Sequence, residues 1–327
     1  MGTDGQPGGT CAPERAGKVA LVTGASGFIG SRLCLRLVAD GVAVHGVSRG
    51  NPLPASLAGV HGHRLDLSAA GSVRELIREV RPDYIFHLAG HVKGARGIEH
   101  VQPALGDNLV STVNLLTACT EAGCERLFLA GSLEEAGLGN AGAAPVPTSP
   151  YAASKFAASC YARMFHELYG TPVVVGRIFM TYGPGQRDLT KLIPYSILSL
   201  LDGKPPKLMS GSRPMDWIFV DDLVEGMLAL IRAPGIDGGT IDLGTGEFHT
   251  SREAVELLVE LLGSPVVPEF GAVGDRSNEV VHSADTESTA RAIGWRAQVP
   301  FREGLRRTID WYREHAGSGV QVHGSAP

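Results

Sequence analysis

Tyr151 and Lys155 stand four residues apart in the run Ser149-Pro-Tyr-Ala-Ala-Ser-Lys155. On a helix such positions share a face, so a phenol and an ammonium project together. Ser149 suits the cap of that helix and Pro150 its first turn. Tyrosine ordinarily titrates near ~10, too high for acid–base work at neutral pH. An ammonium at about 4 Å, with an effective dielectric of ~20, contributes roughly 4 kcal/mol, or about three pKa units. The pair is expected to give or take a carbonyl-derived proton while a hydride moves. Ser132, in Leu129-Ala-Gly-Ser-Leu-Glu-Glu135, follows a strand and is expected to orient the substrate oxygen beside Tyr151. Glu134 stands two positions on from Ser132, a loop carboxylate beside Glu135.

A hydride needs a carrier, and the start of the chain offers a place for one. Thr23-Gly-Ala-Ser-Gly-Phe-Ile-Gly30 follows an apolar run and opens a helical pattern. Gly24 permits a tight turn, Gly27 a close approach to a pyrophosphate, and Gly30 the packing of helix on strand. Ser26, Phe28 and Ile29 complete the loop, and the free N–H groups of the helix start favour phosphate. With 43 glycines in the chain, the pattern counts because a strand precedes it and a helix follows. At the end of the second strand, Gly46-Val-Ser-Arg49 lacks the acid that would hold a ribose. Arg49 is suited to a 2′-phosphate, with Ser48 as donor, so NADP(H) is favoured over NAD(H). Asp66 and Leu67 are expected to flank the adenine.

These residues need a scaffold. Strands are expected at Lys18–Thr23, Val42–Val47, Asp83–Leu88, Arg126–Ala130 and Pro172–Ile178. Helices are expected between them at Phe28–Asp40, Ser72–Val80, Ala104–Glu121 and Tyr151–Tyr169. That alternation predicts an α/β fold, a Rossmann-type doubly wound parallel sheet covered on both faces. Past Arg177 the rhythm changes. A helix is expected near Leu192–Leu201, a strand at Asp216–Val220, a helix at Asp221–Arg232, a strand at Thr240–Leu243, and helices at Arg252–Leu262 and Arg302–Glu314. Residues 17–178 with about 216–245 are read as the nucleotide-binding domain. Residues 179–215 and 246–315 are read as a smaller C-terminal α/β lobe over the carboxyl ends of the strands. The segments 1–16 and 316–327 are read as disordered tails.

Composition narrows the class. The chain has 327 residues, 43% hydrophobic, with a net charge of −5. A sizeable core is expected. With no long run of Lys or Arg, a nucleic-acid partner is not expected. No segment is apolar for long enough to span a membrane, and the first residues have no secretory pattern. Five cysteines without a Cys-x-x-Cys spacing suggest reduced thiols and a cytoplasmic location. No metal site is expected. His61-Gly-His63 lacks a clear third ligand and is read as a solvated loop, and packing accounts for His87 and His91.

At this point the chain resembles the extended short-chain dehydrogenase/reductase family, in its nucleotide-sugar epimerase/dehydratase branch. The likeness runs from about Gly17 to about Arg313. It is carried by the glycine loop, Phe86-His-Leu-Ala-Gly90, Asn108 and its following helix, Ser132, Tyr151-x-x-x-Lys155, Arg177-Ile-Phe-Met-Thr-Tyr-Gly-Pro184 and Asp216-Trp-Ile-Phe-Val-Asp-Asp222. Gly294-Trp295 and Trp311-Tyr312 extend it. The resemblance implies cofactor contacts from Leu88, Ala89, Gly90, Asn108 and Ile178, as well as from Tyr151 and Lys155. It implies a nucleotide diphosphate-sugar on the second lobe, touched by Lys93, Ser132 and Met180, and a homodimer packed through Ala104–Glu121 and Tyr151–Tyr169.

Three departures from the family's pattern bear on the reaction. Family dehydratases often carry an acid between the catalytic hydroxyl and the Glu base, where this chain has Leu133. Elimination of water is therefore less supported than carbonyl reduction. Met180 stands where an Asn is common, and Met215 where an Arg grips the diphosphate. Arg213 is expected to substitute for the latter, and Arg276 resembles a second diphosphate Arg. The leading expectation is NADPH-dependent reduction of a 4-keto nucleotide sugar. The alternative is an epimerase, 4,6-dehydratase or decarboxylase with recycled, tightly bound NAD(P), kept open by Glu134. A non-catalytic NADP(H) sensor is a third reading, opposed by the intact Ser132, Tyr151 and Lys155.

Overall fold

The computed structural model describes residues 17–50, 52–135, 146–275 and 281–315. Both expected tails, Cys11 and Arg276 lie outside the described residues.

The first strand, β1 (Val19–Thr23), is apolar up to its closing Thr23 and almost wholly buried. Such a run is suited to a strand covered on both faces. It is followed by α1 (Phe28–Ala39), β2 (Ala43–Ser48), β3 (Val60–Arg64), α2 (Ala70–Val80) and β4 (Tyr84–His87). Next come α3 (Val101–Ala104), a π-helical turn at Leu105–Val110, α4 (Ser111–Ala122) and β5 (Arg126–Ser132). The half ends with α5 (Pro150–Tyr169) and β6 (Val173–Ile178). Later segments are β7 (Met180–Tyr182), α6 (Leu192–Leu201), β8 (Lys207–Leu208), β9 (Pro214–Phe219), α7 (Val220–Leu230) and β10 (Thr240–Leu243). The chain closes with β11 (Phe248–Thr250), α8 (Ser251–Leu262), β12 (Glu269–Phe270), α9 (Thr286–Ile293) and α10 (Phe301–His315).

Seven strands form one sheet in the order β10-β6-β5-β4-β1-β2-β3, and every pair in it is parallel. The chain starts in the middle, winds out to β3, then returns to β4 and winds the other way. The carboxyl ends of β1 and β4 therefore flank the point where the winding reverses, and a crevice opens there. One face of the sheet is covered by α1 and α7 through Leu33, Leu37, Leu223 and Met227. The other is covered by α2, α4 and α5 through Ile77, Leu115, Leu116 and Ala158. This is the expected doubly wound sheet.

A smaller sheet has the order β11-β9-β7. It packs with α6, α8 and α10 around Tyr182, Ile197, Trp217, Phe219, Leu258 and Ile309. The strand expected at Asp216–Val220 runs Pro214–Phe219 and pairs here with β7 and β11. It does not join the central sheet with β10, as the grouping of 216–245 implied. Asp216, 1% exposed, accepts N–H bonds from Thr245, Gly246 and Ala284 at 2.7–3.0 Å and the Thr245 hydroxyl at 2.7 Å. Asp222 accepts from the Gln298 and Val299 amides. Two of the three acids in the family-like Asp216–Asp222 run thus pin loops of the second lobe, and the third, Asp221, pairs with Arg32 on α1.

Three further expectations need correction. His61-Gly-His63 is not a loop but the middle of β3, the edge strand. The Nδ1 of His45 and the Nε2 of His63 lie 2.8 Å apart across β2 and β3. The helix expected at Ala104–Glu121 is interrupted by the π-helical turn. The helix α9 (Thr286–Ile293) stands outside the expected elements: it is only eight residues long and mostly polar, with Ala292 and Ile293 packed on the core and Thr289 buried. No group of three or more potential metal ligands occurs among the described residues, and no described helix is long and apolar enough to cross a membrane.

Candidate active site

A cavity of about 620 Å³ lies at the carboxyl ends of the central strands and runs under the second lobe. Its floor is the turn between β1 and α1. Gly24 takes a left-handed φ of +68° there, and a Cβ on it would meet the Ala89 amide nitrogen at 2.9 Å. A Cβ on Gly30 would stand 2.2 Å from the Gly24 carbonyl oxygen. Only glycine lets α1 start so close to the turn. Gly27 caps α1 without a side chain, so the first N–H groups of the helix remain open to the cavity. Gly24, Ser26, Gly27, Phe28, Ile29 and Gly30 all line it.

The far corner is built from β2, β3 and the π-helical turn. Ser48, Arg49, Asp66 and Leu67 line it, together with Ser68, Asp107 and Ser111, for which the sequence carried no signal. Asp66 is held by the Ser68 amide at 2.9 Å and its hydroxyl at 2.8 Å. Those bonds, the amide's foremost, keep the Asp66 carboxyl below its usual range. Arg49 pairs with Asp107 at 2.5 Å. Adjacency in space across 58 positions of sequence left no signal to find this pair.

Leu88, Ala89, Gly90 and Ile178 line the cavity, whereas Asn108 and Lys93 do not. Asn108 is 1% exposed. Its side chain accepts from the His91 amide at 2.7 Å, donates to the His91 carbonyl at 3.1 Å and donates to Ser154 at 2.8 Å. It braces the loop after β4 and α5 from below, because a buried amide must satisfy its own donors and acceptor first. Lys93 is exposed on that loop, where a solvated ammonium avoids the cost of burial.

The reacting wall joins β5 and α5. Ser149 caps α5, accepting from the Ala152 amide at 3.1 Å, with Pro150 in the first turn. Tyr151 and Lys155 therefore start on a fixed helix and both line the cavity with Ser132 and Glu134. Lys155 is 7% exposed and donates to the Ala130 carbonyl at 2.8 Å. Burial pulls its ammonium below the ordinary range, and the Glu135 charge opposes that. The Tyr151 phenol is pushed up, by burial first, with the hydrogen bond to Ser132 pulling it back and the charges of Glu134 and Glu135 pushing further. Lys155 is not among the influences on the phenol, so the expected lowering by its cation does not emerge and burial governs instead. Removal of water disfavours the anionic form.

The two adjacent glutamates part company. Glu134 faces the cavity and receives the Ser149 hydroxyl at 3.2 Å, and its own amide donates to Ser132 Oγ at 3.2 Å. Glu135 is buried. Leu133, between Ser132 and Glu134, packs against the core beneath α1 and α7. Met180 and Arg213 line the cavity, and Met215 is buried in the second lobe's core. Thr181, Gln186, Arg187, Asp188 and Lys191 also line it. Thr181 lies within β7, and the other four lie in the irregular stretch after it, where no periodicity marks which way a side chain faces.

A doubly wound sheet with a glycine turn at its switch point, and a Ser, Tyr and Lys set over it, defines a short-chain dehydrogenase/reductase of the extended type. The chain belongs to the NAD dependent epimerase/dehydratase family, whose family model matches residues 20–244. It is 32% identical to the UDP-glucose 4-epimerase of Mycolicibacterium smegmatis, covering 90% of this chain and 98% of the relative. It is 31% identical to a probable dTDP-glucose 4,6-dehydratase of Sinorhizobium fredii, covering 90% and 93%. Among solved structures, the Thermus thermophilus UDP-glucose 4-epimerase in complex with NAD superposes with a TM-score of 0.79 at 30% identity, over 90% of this chain and 99% of that one.

Proposed function

We propose that this chain is an NAD(P)-dependent oxidoreductase acting on a nucleotide diphosphate-sugar, and that its net reaction is NADPH-dependent reduction of a 4-keto sugar. The glycine turn fits a dinucleotide: no Cβ can be accommodated at Gly30, and the open α1 start suits a pyrophosphate. Gly24, Ser26, Gly27 and Ile29 would hold the pyrophosphate end, and Ser48, Arg49 and Asp66 the adenosine end. The bound nicotinamide would supply the hydride.

The chain's own residues do the rest. Ser132 and Tyr151 bind the keto oxygen, and Tyr151 donates its proton to that oxygen. Lys155, anchored on the Ala130 carbonyl, stabilises the phenolate left behind and holds the ribose side of the cofactor. Burial favours the protonated phenol, which is the form a ketone reduction uses. Arg213 and Lys191 bring positive charge to the substrate end of the cavity, where a diphosphate would lie.

The observation that carries reduction over elimination is Leu133. It is half-buried and lines the cavity between Ser132 and Glu134, where its aliphatic side chain offers no proton to a leaving hydroxyl. Purified protein given NADPH and a nucleotide diphosphate-4-keto-sugar should oxidise the cofactor in proportion to sugar reduced. Turnover of sugar with no net loss of NADPH would defeat this reading.

A second reading has one specific support. Glu134 lines the cavity beside Ser132 and Tyr151, placed as a base. Recycled cofactor, as in an epimerase, 4,6-dehydratase or decarboxylase, would then apply. Its mark is cofactor that co-purifies and a Glu134→Gln variant that loses sugar conversion.

We also propose a homodimer, supported by Leu105, Val110, Tyr161 and Leu168, which stand exposed on the π-helical turn and α5. A cytoplasmic location remains part of the proposal, as a nucleotide sugar and a reduced nicotinamide are both drawn from that compartment. Light scattering at decreasing concentration tests the first.

A further inference from the structure

Glu135 was met in the sequence only as the neighbour of Glu134. Its side chain is 6% exposed and lies behind the cavity wall. One carboxylate oxygen accepts the Ser132 amide at 2.7 Å. The other accepts the Ser159 hydroxyl at 2.5 Å. Ser159 lies four residues beyond Lys155 and eight beyond Tyr151 on α5, which puts all three on one face. The carboxylate therefore ties the end of β5 to the helix that carries the phenol and the ammonium. The backbone makes room for it: a Cβ on Gly131 would stand 3.1 Å from Glu135 Oε1 and 2.8 Å from Val175 Cγ1.

A buried carboxylate is costly unless it is well paired. An amide donor and a hydroxyl would be satisfied by a neutral glutamine at the same position. The charge itself therefore calls for an account, and the groups that feel it are Tyr151 and Lys155.

We propose that Glu135 is a positioning residue of this site, clamping Ser132 to the helix of Tyr151 and Lys155 and presenting a buried negative charge to that pair. The charge favours the protonated phenol and the protonated ammonium alike, the state from which a proton can be given to a keto oxygen. This inference rests on the proton-donor role proposed for Tyr151, but its test does not need turnover.

The groups facing the pair are Glu134 and Glu135 from the β5 end and His87 from β4. His87 is buried and held neutral. In full-length protein with carbon-13-labelled lysine, the Lys155 signal can be assigned by its loss in Lys155→Met. Glu135→Gln removes the charge while its amide oxygen still accepts the Ser132 N–H and its amide nitrogen donates to the Ser159 hydroxyl in turn. Its Lys155 signal should titrate about one pH unit lower than in the wild type, and any keto-sugar reduction should lose its alkaline limb at correspondingly lower pH. Ser159→Ala keeps the charge and cuts one tether. It should leave the Lys155 titration in place, lower kcat by about tenfold, and leave KM for the cofactor within twofold. Superimposable Lys155 titrations in wild type and Glu135→Gln would overturn the inference. A shifted titration in a protein that reduces no keto sugar would leave the clamp standing and remove the proposed reaction instead.

Discussion

The carboxylate of Asp107 holds the guanidinium of Arg49 at 2.5 Å on the rim of the cavity, with Arg49 63% exposed and Asp107 20%. A 2′-phosphate on the adenosine ribose would have to compete with that carboxylate for the same guanidinium. Asp107 would thus act as a brake on the 2′-phosphate contact proposed for Arg49. Asp107→Asn is expected to raise the preference for NADPH over NADH by about tenfold, and Arg49→Ala to reduce it by as much, from one charge-assisted contact of about 1.4 kcal/mol. Fluorescence titration with each cofactor measures both. Equal changes for NADH and NADPH would show that Arg49 does not meet the 2′-position.

Ser132 is the contact that pulls the Tyr151 phenol back against burial. Its removal leaves only influences that raise the phenol. For Ser132→Ala the protonated form persists to higher pH, so the alkaline fall in keto-sugar reduction should move upward. The rate at neutral pH should drop by about 100-fold, as one hydrogen bond to the developing oxyanion is lost. A pH–rate profile with an unmoved alkaline limb would contradict this assignment.

His87 bridges β1 and α4, with Nδ1 2.8 Å from Thr23 Oγ1 and Nε2 3.1 Å from Thr112 Oγ1. Burial depresses its imidazole from 6.5 to about 3. The unfolded chain takes up this proton below about pH 6.5 and the folded chain does not. The stabilisation is therefore complete above that pH and is lost as pH falls toward 3, by about 1.4 kcal/mol per unit. Urea unfolding at pH 7 and pH 5 should show this slope in the wild type and a shallower one in His87→Gln.

Gly30→Ala places a methyl where the Gly24 carbonyl oxygen stands 2.2 Å away. The turn must open or α1 must shift. A loss of about 1–3 kcal/mol in stability is expected, together with loss of dinucleotide binding by calorimetry. Wild-type affinity in this variant would mean that the turn is not the pyrophosphate site.

Asp216 receives three amides and a hydroxyl. Asp216→Leu orphans all four donors and should destabilise the protein by about 3–5 kcal/mol. Cofactor affinity per folded molecule should be unchanged, since Asp216 does not line the cavity.

The sequence by itself determined the parallel sheet, the glycine turn and the reacting wall. Each is written in local spacing: buried runs such as Val19–Thr23, Gly24, Gly27 and Gly30 between strand and helix, and the phenol and ammonium one helical turn apart behind a Ser-Pro cap. Local spacing is where backbone geometry and propensity act directly, so the five expected strands of the first half lie within one or two residues of their observed bounds, whereas the polar edge strand β3 and the π-helical break before α4 left no such mark. The tertiary structure alone decided what meets across long separations. It paired Arg49 with Asp107, sent Asn108 beneath the floor and Lys93 into solvent, and moved the strand of Asp216 into the second sheet. It also set Glu134 facing the cavity and Glu135 buried, although the two are neighbours of the same type. Burial and charge pairing depend on which elements pack together, and no window of sequence holds that information. The same dependence explains why burial of the Tyr151 phenol, rather than its distance from a lysine along the helix, dominates its acidity.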